Sequence, residues 1–424
     1  MIRKKISFLV HNIACLATLA LMVPALANGQ NFSDWRERLR TVRARKLVAE
    51  IDREGKETAF RASMSGKQVS GNALSSTNVS QTGPISGYMD FHLNNAQYKD
   101  PVLDFHRFVL LFNHSFSNRI RFVAELELEH AVVSGETDGE LELEQAYVDF
   151  LISRPFNLRA GMVLAPVGVI NERHEPPVYH GVERPSVETV IIPTTWFGAG
   201  AGVHGELSSG LRYRVYAMET LDATNFSAGE GLREGRQKGA ESNAQHIAGT
   251  GRLEYVGTPG LVIGTSFWSG DTGFSVPRIH TSVTMLEFDG RYRVGEFDFR
   301  GLYAHAFLDG MSDLNQSVQR IVGVNPNIAE QIRGFYFESS YFIVAQPAPR
   351  ELAIFTRYEN FDTQYRLPSG HNPIRTFDRD SWAFGVTYFP DPDVALKIDY
   401  TVLRNQSDVM PAPNSFNVGL GWWF

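Results

Sequence analysis

The joins between strand-like segments in residues 85 to 424 are sorted by length, and this sorting limits the fold more tightly than any other feature of the chain. One set is tiny: Ser117-Asn118, Ser153 to Phe156, Ser208 to Gly210, Thr258 to Gly260, Gly295-Glu296, Ala345 to Pro349 and Pro390 to Asp393. The alternate set holds the long joins, Asn171 to Thr195, Asp222 to Ala244, Asp309 to Gln331 and Gln364 to Arg379. Short turns on one side and long loops on the other are what an antiparallel up-and-down barrel in a membrane requires, whereas a soluble sandwich has no reason to sort its loops. Sixteen segments fit between the joins, from 85–96 to 414–424. Each can supply the roughly 9–11 residues of a tilted spanning strand. The expected fold class is therefore all-β, a transmembrane antiparallel up-and-down barrel of about sixteen strands over residues 85–424, with both barrel ends on the short-turn side.

Side-chain alternation agrees. From Ser415 to the C-terminus, Phe416, Val418, Leu420, Trp422 and Phe424 share one face, and Ser415, Asn417, Gly419 and Gly421 share the other. Leu396, Ile398, Tyr400 and Val402 alternate in the same way with Lys397, Asp399 and Thr401. Because side chains along a strand point alternately to opposite faces, these patterns put an apolar surface against lipid and a polar one in the lumen.

Residues 1–27 read as a cleaved export signal, with Arg3, Lys4 and Lys5, an apolar run from Ile13 to Val23, and Ala25-Leu26-Ala27 at the cleavage site. The single cysteine, Cys15, lies within it, so the mature chain is expected to have no thiol chemistry. Residues 28–84 read as a periplasmic helical segment between Ser33 and Arg61 followed by a flexible Ser/Gly/Asn/Thr linker to Pro84. Beyond residue 27 no apolar run approaches the roughly 18 residues of a membrane helix. A net charge of -7 gives no electrostatic case for nucleic acid as a partner.

Two groups of charges stand out. Glu125, Glu127 and Glu129 alternate with leucines, as do Glu140, Glu142 and Glu144. A symmetric hairpin pairs 125 with 144, 127 with 142 and 129 with 140, placing six carboxylates on one inner patch near the extracellular mouth. Like charges opposite one another destabilise a sheet, so the patch needs compensation: loop arginines such as Arg173 and Arg184, divalent cations, or solvation in a wide pore. Gln145 and Asp149 also belong in the lumen, which requires a bulge near Glu144. Arginines gather at the short-turn ends of strands: Arg119, Arg121, Arg159, Arg212, Arg214, Arg252, Arg291, Arg293 and Arg300. They form either a basic belt that sets ion selectivity or ion pairs with Asp298, Glu254 and Asp289 that stiffen the wall.

Ala146-Tyr147-Val148-Asp149-Phe150, followed by Leu158 through Gly168, resembles sixteen-stranded bacterial outer-membrane porins related to the phosphate-selective porins O and P. The stretch from Asn171 through His174-Glu175-Pro176-Pro177, Val182-Glu183-Arg184-Pro185 and Ile192-Pro193-Thr194-Thr195-Trp196 resembles a subgroup of these without an assigned solute. The resemblance implies a porin of the outer membrane, with lipid around it, passing small hydrophilic solutes or ions by weakly selective passive diffusion, and association into a homotrimer. It also implies that the loop after the fifth strand, with Glu172, Arg173, His174, Glu175 and Arg184, folds inward as a constriction. The last strand, Phe416 to Phe424, resembles the signal read by the barrel assembly machinery. Phosphate selectivity does not carry over, because the six glutamates depart from the lysine and arginine ladder of the phosphate-transporting members.

The rival classes are a plugged structural or adhesive barrel and a barrel-embedded enzyme. The sequence has no Gly-x-Ser-x-Gly elbow, no His-Glu-x-x-His and no phosphate loop. Gly198 to Gly202 superficially suggests a nucleotide fingerprint but lies on a strand, where glycines allow close packing. His174, Glu175 and His180 have no established metal-ligand spacing, and neither metal nor cofactor is expected.

Overall fold

The computed structural model describes residues 85–424 apart from 138, 208–209, 274–278 and 346–349, so the export signal, helical segment and linker expected over residues 1–84 lie outside the described residues. Sixteen strands follow in order: β1 (Ile85–Ala96), β2 (Val102–Ser117), β3 (Ile120–Glu129), β4 (Leu141–Ser153), β5 (Phe156–Leu164), β6 (Phe197–Glu206), β7 (Leu211–Glu219) and β8 (Ile247–Tyr255), then β9 (Leu261–Asp271), β10 (Ser282–Val294), β11 (Phe297–Asp309), β12 (Gln331–Val344), β13 (Glu351–Arg366), β14 (Asp378–Asp391), β15 (Val394–Asn405) and β16 (Ser415–Trp423). Each pairs antiparallel with its sequence neighbours, and β1 pairs with β16 to close the barrel. Closure leaves no sheet edge, which a barrel in hydrocarbon needs because nothing there can satisfy an unpaired backbone N–H or C=O.

The period of two holds in three dimensions. Along β10, Leu286 and Phe288 face outward and Glu287 and Asp289 face the lumen. On β15, Leu396 is outside while Lys397 and Asp399 are buried within. On β16, Val418, Leu420 and Trp422 face outward; Gly419 and Gly421 face in, where Val182 and Pro176 of the loop after β5 press against them.

Three features differ from expectation. β5 stops at Leu164 rather than near 170, where Pro166, which has no backbone N–H, and Gly168, at φ +80°, turn the chain inward. The join from Asp309 to Gln331 contains a helix, α1 (Met311–Val322), with Met311, Leu314 and Asn315 buried. In the long-loop half, the lumen from β7 to β13 is also apolar rather than wet. Met218, Trp268, Met285 and Ile332 of the wall pack against Ile191, Trp196, Leu232 and Leu314 of the loops. Loops that fold inward carry apolar side chains of their own, and the wall beside them must be apolar to avoid unpaired buried polar groups.

Candidate functional site

The loop between β5 and β6 lies inside the barrel and is tied to the wall strand by strand. The Asp399 carboxylate of β15 accepts from Val182 N–H at 2.6 Å, and Glu359 of β13 accepts from Val187 N–H at 3.0 Å. Lys397 Nζ donates to Gly181 O at 2.8 Å, and Thr387 Oγ1 donates to His180 O at 2.8 Å. Arg300 donates to Val178 O at 2.8 Å. These are charged or hydroxylic wall groups meeting the backbone of a loop that has no sheet of its own, so each bond satisfies a backbone group that would otherwise be buried unpaired. The prolines Pro176, Pro177 and Pro185 stiffen the segment between anchors.

Glu188 is a further anchor, fully buried in this loop. Its carboxylate accepts from Ile170 N–H at 2.6 Å and from Tyr336 Oη at 2.7 Å. Burial raises its pKa from 4.5 to about 7, with Asp289 adding to the rise and Arg252 opposing it. A folded-state value above the unfolded one means that the folded chain holds the proton more tightly. Its contribution to stability is thus complete below about pH 4.5 and lost as pH rises through 7. The heat-induced loss of compact gel migration is expected to move to lower temperature between pH 4.5 and 7, and Glu188→Gln, which keeps the hydrogen-bonding shape of the protonated acid, should flatten that dependence.

The acidic hairpin departs from the symmetric register. Glu127 faces Glu142, but Glu125 faces Gln145, and Glu144 is the extra residue of a bulge, which brings both Glu144 and Gln145 into the lumen. Glu129 is joined to Glu140 through its backbone, N–H to O at 2.9 Å. Compensation does not come from Arg173 or Arg184. Arg173 lies 3.9 Å from Glu254, and Arg184 donates to Thr195 Oγ1 at 3.1 Å. The compensating groups are Lys238 of the β7–β8 loop, which binds Glu142 and, at 2.7 Å, Glu140; Arg107 of β2, 3.8 Å from Glu127; and His174, with Nε2 3.0 Å from Glu144. Tyr88 Oη donates to Glu125 at 2.8 Å and also meets His174 Nε2. Glu172 pairs with Arg214 at 2.9 Å, and Glu175 is buried beside the His174 cluster.

Of the arginines expected in the short-turn half, Arg119 is exposed on the turn between β2 and β3, and the others meet acids. Arg159 and Arg121 share Asp149, at 2.7 and 2.9 Å. Arg291 and Arg300 share Asp298, at 2.5 and 3.2 Å. Arg212 pairs with Glu206 at 3.4 Å, and Arg293 with Glu351 at 3.1 Å. Arg252 grips Asp289 with two nitrogens, at 2.5 and 2.9 Å, and reaches Glu287 and Glu254 at 3.4 Å each. A cavity beneath the inward loop is lined by Glu172, Arg173, Arg252, Asp289, Arg291 and Arg300. These arginines are engaged in ion pairs rather than stacked as free cations.

No family model matches the sequence. A protein of Aquifex aeolicus strain VF5, described as uncharacterized, is 36% identical over 327 residues, spanning 74% of each chain. The chain belongs to the family of that protein. In fold, this chain is similar to solved outer-membrane porins and channels. The outer membrane channel DcaP of Acinetobacter baumannii aligns over 80% of this chain and 96% of its own, with TM-score 0.53 and 11% identity. A loop-deletion mutant of OmpT, an outer membrane protein of Vibrio cholerae, aligns over 80% and 98%, with TM-score 0.51 and 11% identity. The anion-selective porin of Comamonas acidovorans aligns over 80% and 98%, with TM-score 0.50 and 12% identity.

Proposed function

We propose that this protein is an outer-membrane diffusion channel for small hydrophilic solutes or ions, weakly selective, without catalytic activity, and narrowed by the loop between β5 and β6. The observation that carries the reading is the set of opposed charges lining the cavity beside that loop, where Arg173, Arg252, Arg291 and Arg300 stand with Glu172, Glu254 and Asp289. Charges inside a low-dielectric wall stabilise a hydrated solute's passage only if they face water, and pairing opposite signs lowers the barrier for either ion without trapping one. The resemblance to the phosphate-selective porin class supports a channel, while the paired belt supports weak selectivity over a phosphate ladder. Export by the signal over residues 1–27, a periplasmic segment over 28–84, insertion through the Phe416 to Phe424 strand by the assembly machinery, and a homotrimer belong to the same proposal.

Planar-bilayer recording of the refolded, heat-modifiable protein tests it. The expected result is steps of fixed size, with a reversal potential near zero across a KCl gradient. One observation favours a second reading. The apolar packing of the loops against β7 to β13 fills part of the lumen, and a correctly folded protein with no conductance would establish a plugged structural barrel instead.

A further inference from the structure

At the long-loop end of β1 to β3 the barrel assembles a histidine cluster that the channel reading does not use. His92 of β1 faces Asp104 of β2, across a register shift that also brings His106 to the lumen side. His130, just past β3, bonds its backbone N–H to His106 O at 2.9 Å. The His92 and His106 rings lie 4.9 Å apart and those of His106 and His130 5.4 Å apart.

We propose that His92, His106, His130 and Asp104 bind one divalent transition-metal ion of the zinc class. The donor set comes first. Three imidazoles and one carboxylate are the ligand types that such ions prefer, and calcium or magnesium would want oxygens instead. Spacing comes second. About Asp104 Oδ2 stand His130 Nδ1 at 2.8 Å, His106 Nδ1 at 3.3 Å and His92 Nε2 at 3.8 Å. Ligands at about 2.0–2.1 Å from zinc in a tetrahedron lie roughly 3.3 Å from one another; His92, Asp104 and His106 already stand as a mutually close set, and His130 completes the tetrahedron by turning from its contact with Asp104 toward the ion.

The outer shell is also in place. The second nitrogen of His92, Nδ1, faces Glu183 Oε1 at 3.7 Å and Asp90 Oδ1 at 4.0 Å, and it has no closer hydrogen-bond partner. Glu183 is itself held by Asn94 Nδ2 at 2.8 Å. Carboxylates behind a ligating imidazole fix the tautomer that leaves the other nitrogen free for metal. Access completes the case. The side chains of Asp104, His106 and His130 are 18%, 23% and 36% exposed, so an ion can enter from solvent without opening the fold. The second cluster with ligand spacing, Glu125, Glu144 and His174, is sealed, and its atoms are already engaged with one another and with Tyr88 and Gln145.

The test is titration of the chelator-stripped, refolded protein with ZnCl2 by calorimetry, with heat-modifiable migration as the check of folding. One site per chain is expected. Replacing His106 and His130 together by alanine should weaken it by more than the roughly 10–100-fold that loss of an outer-shell partner costs, while His174→Ala leaves it unchanged. Co2+ in place of Zn2+ should give the intense visible bands of tetrahedral cobalt. The proposal is overturned if the folded wild type binds no zinc and the four side chains form an ion-pair cluster only, or if His174→Ala abolishes binding that the double variant retains. Neither readout depends on conductance.

Discussion

Replacing Arg252 by alanine is expected to destabilise the folded barrel by about 3–5 kcal/mol, the cost of removing one partner from a buried ion pair. Three carboxylates depend on this guanidinium. Asp289 is gripped by two nitrogens, and Glu254 and Glu287 lie 3.4 Å away. Without the cation, the buried Asp289 and Glu254 carboxylates are left with only the small cavity beside the inward loop to solvate them. Arg214 and Arg173 approach Glu254 only to 3.9 Å and cannot replace it. The measurement is the denaturant midpoint in detergent, followed by reversal potential on the folded fraction, which should move toward cation selectivity as the lumen loses one positive charge. Arg252→Lys keeps the charge but loses the two-pronged grip on Asp289. It should fall between wild type and Arg252→Ala in stability and leave the reversal potential alone. An unchanged midpoint in Arg252→Ala would mean that water already solvates these acids.

The barrel itself was legible in the sequence because its signals are local. Turn length and the period of two fix strand number, order and sidedness, and Lys397 against Leu396 needs no knowledge of any other strand. The bulge at Glu144 was legible for the same reason, since Gln145 and Asp149 had to share the lumen. What could not be read is the pairing across the lumen. Lys238 meets Glu140 and Glu142 about a hundred residues earlier, and His174 meets Glu144, because of where two loops fold, and no periodicity encodes that. The histidine cluster was missed for a related reason. His92 and Asp104 lie twelve positions apart on a short hairpin, close enough to be paired by counting, but the register shift that admits His106 is a three-dimensional event. Helix α1 did leave a trace in Met311, Leu314 and Val318, whose helical spacing is hidden in a segment bounded by strands.

Phe337→Arg is expected to cost about 2–4 kcal/mol, the penalty for an arginine on the lipid face near mid-bilayer. Phe337 sits at the middle of β12 and is 54% exposed on the outer surface, stacked near Phe299 of β11. The next residue, Glu338, points into the lumen, where Arg357 lies at 3.2 Å and Arg300 at 3.8 Å. The two positions therefore give opposite results from one peptide unit. Phe337→Arg should lower the refolding yield and the denaturant midpoint, and Phe337→Leu should stay close to wild type, because lipid asks only for an apolar surface. Glu338→Gln should retain the fold through its remaining acceptor oxygen and move the reversal potential toward anions, since two guanidiniums lose a countercharge. Because the side-chain period is two, a one-residue error in register would turn the whole strand inside out. The Arg variant would then be tolerated and the Gln variant would leave conductance untouched, so this pair of substitutions tests the sidedness on which the lumen's paired charges depend.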